Sequence, residues 1–318
     1  MAITITPEAL QKSAVKYRKE LLSMLVIGLN SSLQHMTPRL GVMYKETVGE
    51  IFENAELGPY DPNRKNTDVS IVGRDLETFL GSIIKEFDPN DVYQSIYGSL
   101  TLHGEGLKGV PIEKLILAAV IKSISQKMNM ALFTATRNTA GTASADLFNG
   151  FDTITKKEIT DAKVSVALKN LFEFGEAITA INAVDQLKAY YRAASDELQS
   201  VPVKLFMSKD IYNAYVDDYQ QTVGAVPYNR EFKKTFLEGS NDLCELVALP
   251  NKKGSAYLQL TPKSNMLVGM GAGNDLEKLS VDRFSAFQVT LSMAAVFGVQ
   301  YETISPERLL IGKLIVEP

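Results

Sequence analysis

Few residues in this sequence have the types and spacing that chemistry needs. Gly269-Met-Gly-Ala-Gly273 follows the apolar run Met266-Leu-Val268 and so imitates a phosphate-binding loop. Such a loop works by opening straight into a helix, whose first N–H groups hold the phosphate. Here Asn274-Asp-Leu-Glu-Lys-Leu-Ser follows, which reads as a turn and then a strand, so a tight hairpin is expected. Neither G-x-x-x-x-G-K-[ST] nor G-x-S-x-G occurs. Cys244 is the single cysteine and lies in the strand-like run Leu243 to Ala248, the setting of a small core residue. His103 stands in His-Gly-Glu-Gly, where Glu105 could pair with it, but structural hydrogen bonding in a loop is the plainer reading. The two histidines, His35 and His103, leave too few ligands for a Cys/His zinc site. Asp217-Asp218 and Asp196-Glu197 are neighbours on expected helices, where consecutive side chains diverge by about 100° and cannot converge as a dyad. They read as solvated faces. No catalytic residue, cofactor or metal is assigned.

Composition bounds the rest. The chain has 318 residues, and 33 Lys+Arg against 37 Asp+Glu give a net charge of -4, which argues against a dedicated nucleic-acid coat. A 45% hydrophobic share with 22% charged residues is that of a folded chain with a real core. Mass scaling predicts a folded surface of about 13,000 Å² for one globule of this size. One cysteine excludes an internal disulfide framework. The opening MAITITPEAL lacks the basic and apolar regions of a signal peptide, and no apolar run approaches the ~18 residues of a membrane span. Lys108, Lys114, Lys122, Lys127 and Arg137 outweigh Glu113 locally, but their spacing does not form a stripe. Tyr190, Tyr191, Tyr212, Tyr215, Tyr219 and Tyr228 cluster in one third of the chain, a pattern of core packing or of an interface.

The elements that could position side chains are clearer. Thr6-Pro7-Glu8 opens a helix expected to reach about Leu29, with Leu10, Val15, Leu21 and Leu29 on its apolar side and Asn30-Ser-Ser ending it. Residues 46–75 hold five turn formers, Gly49, Gly58, Pro59, Pro62 and Gly73, between β-prone runs. They predict a two-stranded excursion with a polar tip at Asp61 to Asn66. Asp88-Pro89 starts a short helix through Tyr97. The strongest signal runs from Pro111 to about Arg137. There Leu117, Ile121, Ile124, Met128, Leu132 and Ala135 recur at helical spacing, predicting a spine about 40 Å long. Alternating α and β segments follow from Val164, with Asn182 and Asp185 as a cap pair. Strict alternation over Phe287, Val289, Leu291, Met293, Ala295 and Phe297 predicts a half-buried strand broken at Gly298. The arm and the excursion are long and poor in core residues, so they are expected to bury on a partner.

That order of arm, β-excursion, spine helix, α/β middle and returning strands resembles the major capsid proteins of tailed bacteriophages, the Hong Kong 97 fold. Particular phrases resemble versions in phages and prophages of gut anaerobes: GEGLKGVP before the spine, LFNGFDTI after it, NAVDQLKAYYRAASDEL and VKLFMSKDIYNAYVDDYQ in the middle, then LTPKSNMLVG and RFSAFQVTLSMAAVFGVQYETISPERLLIGKL. The resemblance runs roughly from Arg74 to Leu314.

It implies an α+β fold with residues 1–45 as N-arm, 46–80 as extended loop, 81–165 with 281–318 as peripheral domain carrying the spine, and 166–280 as axial domain. It implies a self-assembling, non-enzymatic shell subunit of the virion. Such a subunit is assembled in the bacterial cytoplasm with a portal and with scaffolding or decoration proteins, around double-stranded DNA held non-specifically, with no membrane and no cofactor. Ile51, Phe52, Leu57, Tyr60, Val69 and Ile71 of the loop are the expected intersubunit contacts. An encapsulin-like nanocompartment and, from another class, an intracellular α/β enzyme are the alternatives.

Overall fold

A computed structural model describes residues 7–17, 20–21, 29–53, 69–87, 112–223, 235–271, 278–283 and 288–315. In chain order its strands are β1 (Thr37–Leu40), β2 (Lys45–Glu53), β3 (Val69–Glu77), β4 (Phe79–Phe87), β5 (Leu171–Glu173), β6 (Val203–Ser208), β7 (Cys244–Leu249), β8 (Tyr257–Thr261), β9 (Met266–Met270), β10 (Lys278–Arg283), β11 (Val289–Tyr301) and β12 (Leu310–Lys313). They form one sheet of order β1-β9-β11-β10 with β4 also on β11, a second of order β5-β12-β8-β6-β7, and the ribbon β2-β3.

β11 organises the first sheet. Its first part pairs with both β10 and β4, and its end from Phe297 pairs with β9. Val289, Leu291 and Met293 point inward with Leu279 and Val281 of β10 and pack on Leu117 and Ile121 of the spine helix, Ile112–Thr134. Each such side chain contributes about 1.5–3 kcal/mol when fully buried. Further along, Met128, Leu132 and Phe133 of the spine meet Met266, Val268, Phe297 and Tyr301 of the sheet. Phe206, Val247 and Leu249 of the second sheet join the same core.

In the second sheet β6 and β7 run parallel, and the helix Lys209–Val223 makes the crossover between them. That helix and Ala183–Arg192 cover one face of the sheet through Tyr215, Tyr190, Leu187 and Val184. The expected tyrosine cluster thus divides. Tyr190 and Tyr215 are core, while Tyr228 lies outside the described residues.

Several expectations change. The arm is not poor in core residues. Ala14 and Leu21 lie under the β10–β11 face, and Leu29, Leu33 and Met36 belong to the main core. Val15, placed on the apolar side from its spacing, is 72% exposed, because the buried line runs through Ala14. Asn30–Leu33 is itself a helical turn rather than a stop. Gly298 does not break β11, which runs unbroken from Val289 to Tyr301. The segment after Gly269 is not a hairpin of neighbours, since β9 and β10 each pair with β11. Sheet membership also departs from the division expected at residue 280: β9 joins β11 in the first sheet and β12 joins β8 in the second. His103, the short helix after Asp88 and the ribbon tip lie outside the described residues.

Candidate assembly site

The ribbon β2–β3 stands apart from both five-stranded sheets. Its strands pair antiparallel from Lys45↔Glu77 to Glu53↔Val69, with Ile51 opposite Ile71 and Phe52 opposite Ser70. Two-stranded ribbons are marginal in water by themselves. Of the expected contact residues, Ile51, Phe52, Val69 and Ile71 thus lie on the paired strands, while Leu57 and Tyr60 lie outside the described residues. The register brings Ile51 and Ile71 together. Phe52 and Val69 are not register partners of each other.

The base of the ribbon is fixed at several points. Arg74 Nη2 donates to Glu158 Oε1 at 2.6 Å and to Gln300 Oε1 at 3.1 Å, while its Nε donates to the Tyr301 carbonyl at 3.2 Å. Gln300 Nε2 returns a bond to the Asp75 carbonyl at 3.0 Å. The two charged side chains are only 10% and 11% exposed. Lys45 pairs with Asp75 at 2.7 Å, and Thr47 Oγ1 donates to the same carboxylate at 3.0 Å. Lys45 and the Thr47 hydroxyl hold the Asp75 carboxyl below its ordinary range. Leu76 is buried with Val42, Val48 and Leu267. Thr78 N–H donates to the Tyr44 carbonyl at 2.7 Å, with Tyr44 in the left-handed region at φ 65.

Gly269 and Gly298 are register partners on β9 and β11, and the β3–β4 junction crosses directly over them. A Cβ on Gly298 would overlap the Glu77 carbonyl oxygen, and one on Gly269 would stand 2.7 Å from Thr78 Cγ2. Both glycines therefore make room for the strand that carries the ribbon. The phosphate-loop likeness of Gly269 had this steric origin.

A second set of polar groups joins the spine helix, the Asn30–Leu33 turn and the second sheet. Asn251 Nδ2 donates to the Asn129 carbonyl at 2.7 Å and to Ser32 Oγ at 3.1 Å. Beside it Lys252 is fully buried against Asp152 and Gln259. His35 rests between Lys204, whose Nζ is 3.3 Å away, and Glu245 at 3.6 Å. Burial first, and Lys204 second, push the imidazole below its ordinary value. Lys252 and Arg74 carry no signal in the sequence, because nothing local distinguishes a buried cation from a surface one.

Cys244 is buried and its thiol is pushed up strongly by burial, as expected of a core residue. Asp196 and Glu197 are exposed, but Asp218 is not a solvated acid. It is buried and accepts the Val184 N–H at 2.7 Å, capping the helix Ala183–Arg192 from a distant element. Asn182, the expected cap, instead accepts from Thr179 N. Among the described residues no group of His, Cys, Asp and Glu could hold a metal, and no helix is long and apolar enough to cross a membrane.

No family model matches the chain, and no curated protein matches it by sequence. Solved structures do. A chain of the satellite phage P4 procapsid including its size determination protein matches at TM-score 0.56 and 12% identity, over 92% of this chain and 98% of that one. A chain of the cyanophage A-1(L) capsid matches at TM-score 0.56 and 12% identity, over 92% and 93%. The capsid of an empty GTA particle matches at TM-score 0.56 and 10% identity, over 91% and 90%. The chain has the Hong Kong 97 capsid fold. The Arg74–Glu158 pair and the glycine slot fix how the ribbon leaves the body. Identities this low carry the fold and not the letters. The fold that the phrases suggest is supported by three-dimensional likeness alone, and no comparison bears on the phrases themselves.

Proposed function

We propose that this chain is the major capsid protein of a tailed bacteriophage, a structural subunit that assembles into pentamers and hexamers of an icosahedral shell. One observation carries the reading beyond the fold. The ribbon β2–β3 belongs to neither of the two larger sheets, and a two-stranded ribbon is marginal in water by itself. A surface supplied by a second copy of the chain gives such a ribbon something to pack on.

In this reading Ile51, Phe52, Leu57, Tyr60, Val69 and Ile71 lie against the neighbouring subunit, which offers a two-stranded ribbon a surface to pack on. Residues 1–45 act as arm and 46–80 as extended loop. Residues 81–165 with 281–318 make the peripheral domain and 166–280 the axial domain, apart from the exchange of β9 and β12 between the sheets. The partners are further copies of the chain, a portal, scaffolding or decoration proteins, and non-specifically held double-stranded DNA. The working location is the virion, after assembly in the host cytoplasm, and the role is non-enzymatic. Shells tolerate individually modest contacts because many act together, and weak contacts let errors dissociate.

Negative-stain microscopy of the purified chain tests the reading. Closed icosahedral or tubular particles are the expected result. A field without particles, from a protein that elutes as a sharp monomer under crowding and divalent salt, would overturn it.

A further inference from the structure

The most unusual side chain in the body is Lys252. It sits on the turn Pro250–Lys252 between β7 and β8, is 0% exposed, and points into the junction between the spine and the axial sheet. Its Nζ lies 2.6 Å from Gln259 Oε1, 3.3 Å from Asp152 Oδ1 and 3.3 Å from Ser255 Oγ. Gln259 is also fully buried, and its Nε2 donates to the same Asp152 Oδ1 at 2.8 Å. The other oxygen, Asp152 Oδ2, is buried with no hydrogen-bond partner. The Phe133 ring stands 4.3 Å from the ammonium.

An amine, a carboxamide and a carboxylate touching both are thus held together in a dry pocket. A lysine desolvated in this way becomes a nucleophile once it loses its proton. Burial pushes Lys252 below its ordinary value, and the Asp152 charge only partly opposes it. Groups fixed at contact distance gain the rate advantage of an intramolecular reaction.

We propose that Lys252 and Gln259 join through an intrachain amide, with Asp152 as the proton relay. Asp152 first takes a proton from the Lys252 ammonium. The neutral Nζ attacks Cδ of Gln259, and the carbonyl electron pair moves onto Oε1. As that pair returns, the Cδ–Nε2 bond breaks. Nε2 leaves with the Asp152 proton as ammonia, and Nζ gives its surplus proton back to the carboxylate. Five protons on the three groups before the step are five after it: one on the new amide nitrogen, three on ammonia and one on Asp152. No oxidant or co-reactant is required. The driving force is the removal of a desolvated ion pair, whose burial the mutual attraction of the charges does not fully offset, and the release of a small molecule. The product closes the β7–β8 turn into a covalent ring where it plugs against the spine. None of this depends on the shell reading.

Intact mass spectrometry of the purified full chain is the test, followed by tryptic mapping. The expected result is a chain lighter than its sequence by one ammonia, with a branched peptide linking Lys252 to Gln259 and trypsin unable to cut after Lys252. Asp152→Asn keeps both reacting groups and should restore the full mass, as should Lys252→Arg. A wild-type chain of full mass that melts cooperatively and yields separate Lys252 and Gln259 peptides would overturn the proposal. So would loss of water with a Lys252–Asp152 branch, which makes Asp152 the acceptor rather than the relay. Because the wild-type measurement decides, a variant that fails to fold leaves the test intact.

Discussion

Arg74 on the ribbon and Glu158 on the helix Phe151–Thr160 are held at 2.6 Å with both side chains about nine-tenths buried, so the ribbon is anchored to the body by a desolvated charge pair. The pair sits where β3 leaves the body, and Gln300 closes it from β11.

Arg74→Ala should therefore cost about 3–5 kcal/mol, because Glu158 is left buried without its partner. The double variant Arg74→Met with Glu158→Met should recover most of that loss. Chemical denaturation of the four proteins checks the cycle. Equal stability of Arg74→Ala and wild type would show that water reaches Glu158 and that the pair is not desolvated.

The two slot glycines should respond differently. Gly269→Ala meets a side-chain methyl of Thr78, so Thr78→Ser should rescue it. Gly298→Ala meets the Glu77 backbone, which cannot step aside, and should cost more than the ~1–3 kcal/mol of ordinary overpacking with no rescue at Thr78. Thermal melts of the single and double variants distinguish the two, and rescue of Gly298→Ala by Thr78→Ser would contradict the crossing geometry.

Asp218→Ala should destabilise by about 1–3 kcal/mol, the cost of a buried donor losing its acceptor, since Val184 N–H has Asp218 as its cap. Asp217→Ala, on the neighbouring exposed position, should change little. If the two variants behave alike, the cap is not formed in solution.

His35 gives a pH dependence with a definite sign. Its folded-state value lies below the ordinary 6.5, so the fold favours the neutral ring. The stability contributed is full above pH 6.5 and declines as pH falls below 6.5 through the folded-state value. Lys204 and Lys263 oppose the new charge and Glu245 favours it. The melting temperature of the wild type should fall on mild acidification more than that of His35→Gln. Parallel pH profiles for the two proteins would remove His35 from the account.

Much of the fold was legible in the residues. The spine follows from Leu117, Ile121, Met128 and Leu132 at helical spacing, because one face of a helix must be buried, and all four are. β11 follows from its alternation and the ribbon from β-prone runs split by glycine and proline. The order of these elements is enough to suggest the capsid fold.

The candidate site was not legible in the same way, because its contacts join residues far apart in the chain. Glu77 and Thr78 meet Gly298, Arg74 meets Glu158, Asp218 meets Val184, and Lys252 meets Asp152. In the sequence Gly298 reads as a strand breaker, Asp218 as a solvated acid and Lys252 as one more surface lysine. Local pattern reports which side of an element is buried, since that depends on hydrophobic periodicity alone. Which polar group is buried, and with what partner, depends on how the sheets and the spine close on one another. The elements, their order and the likeness to a capsid fold follow from residue pattern. Which charges lost their water follows only from how the packed body closes, because desolvation is a property of the whole.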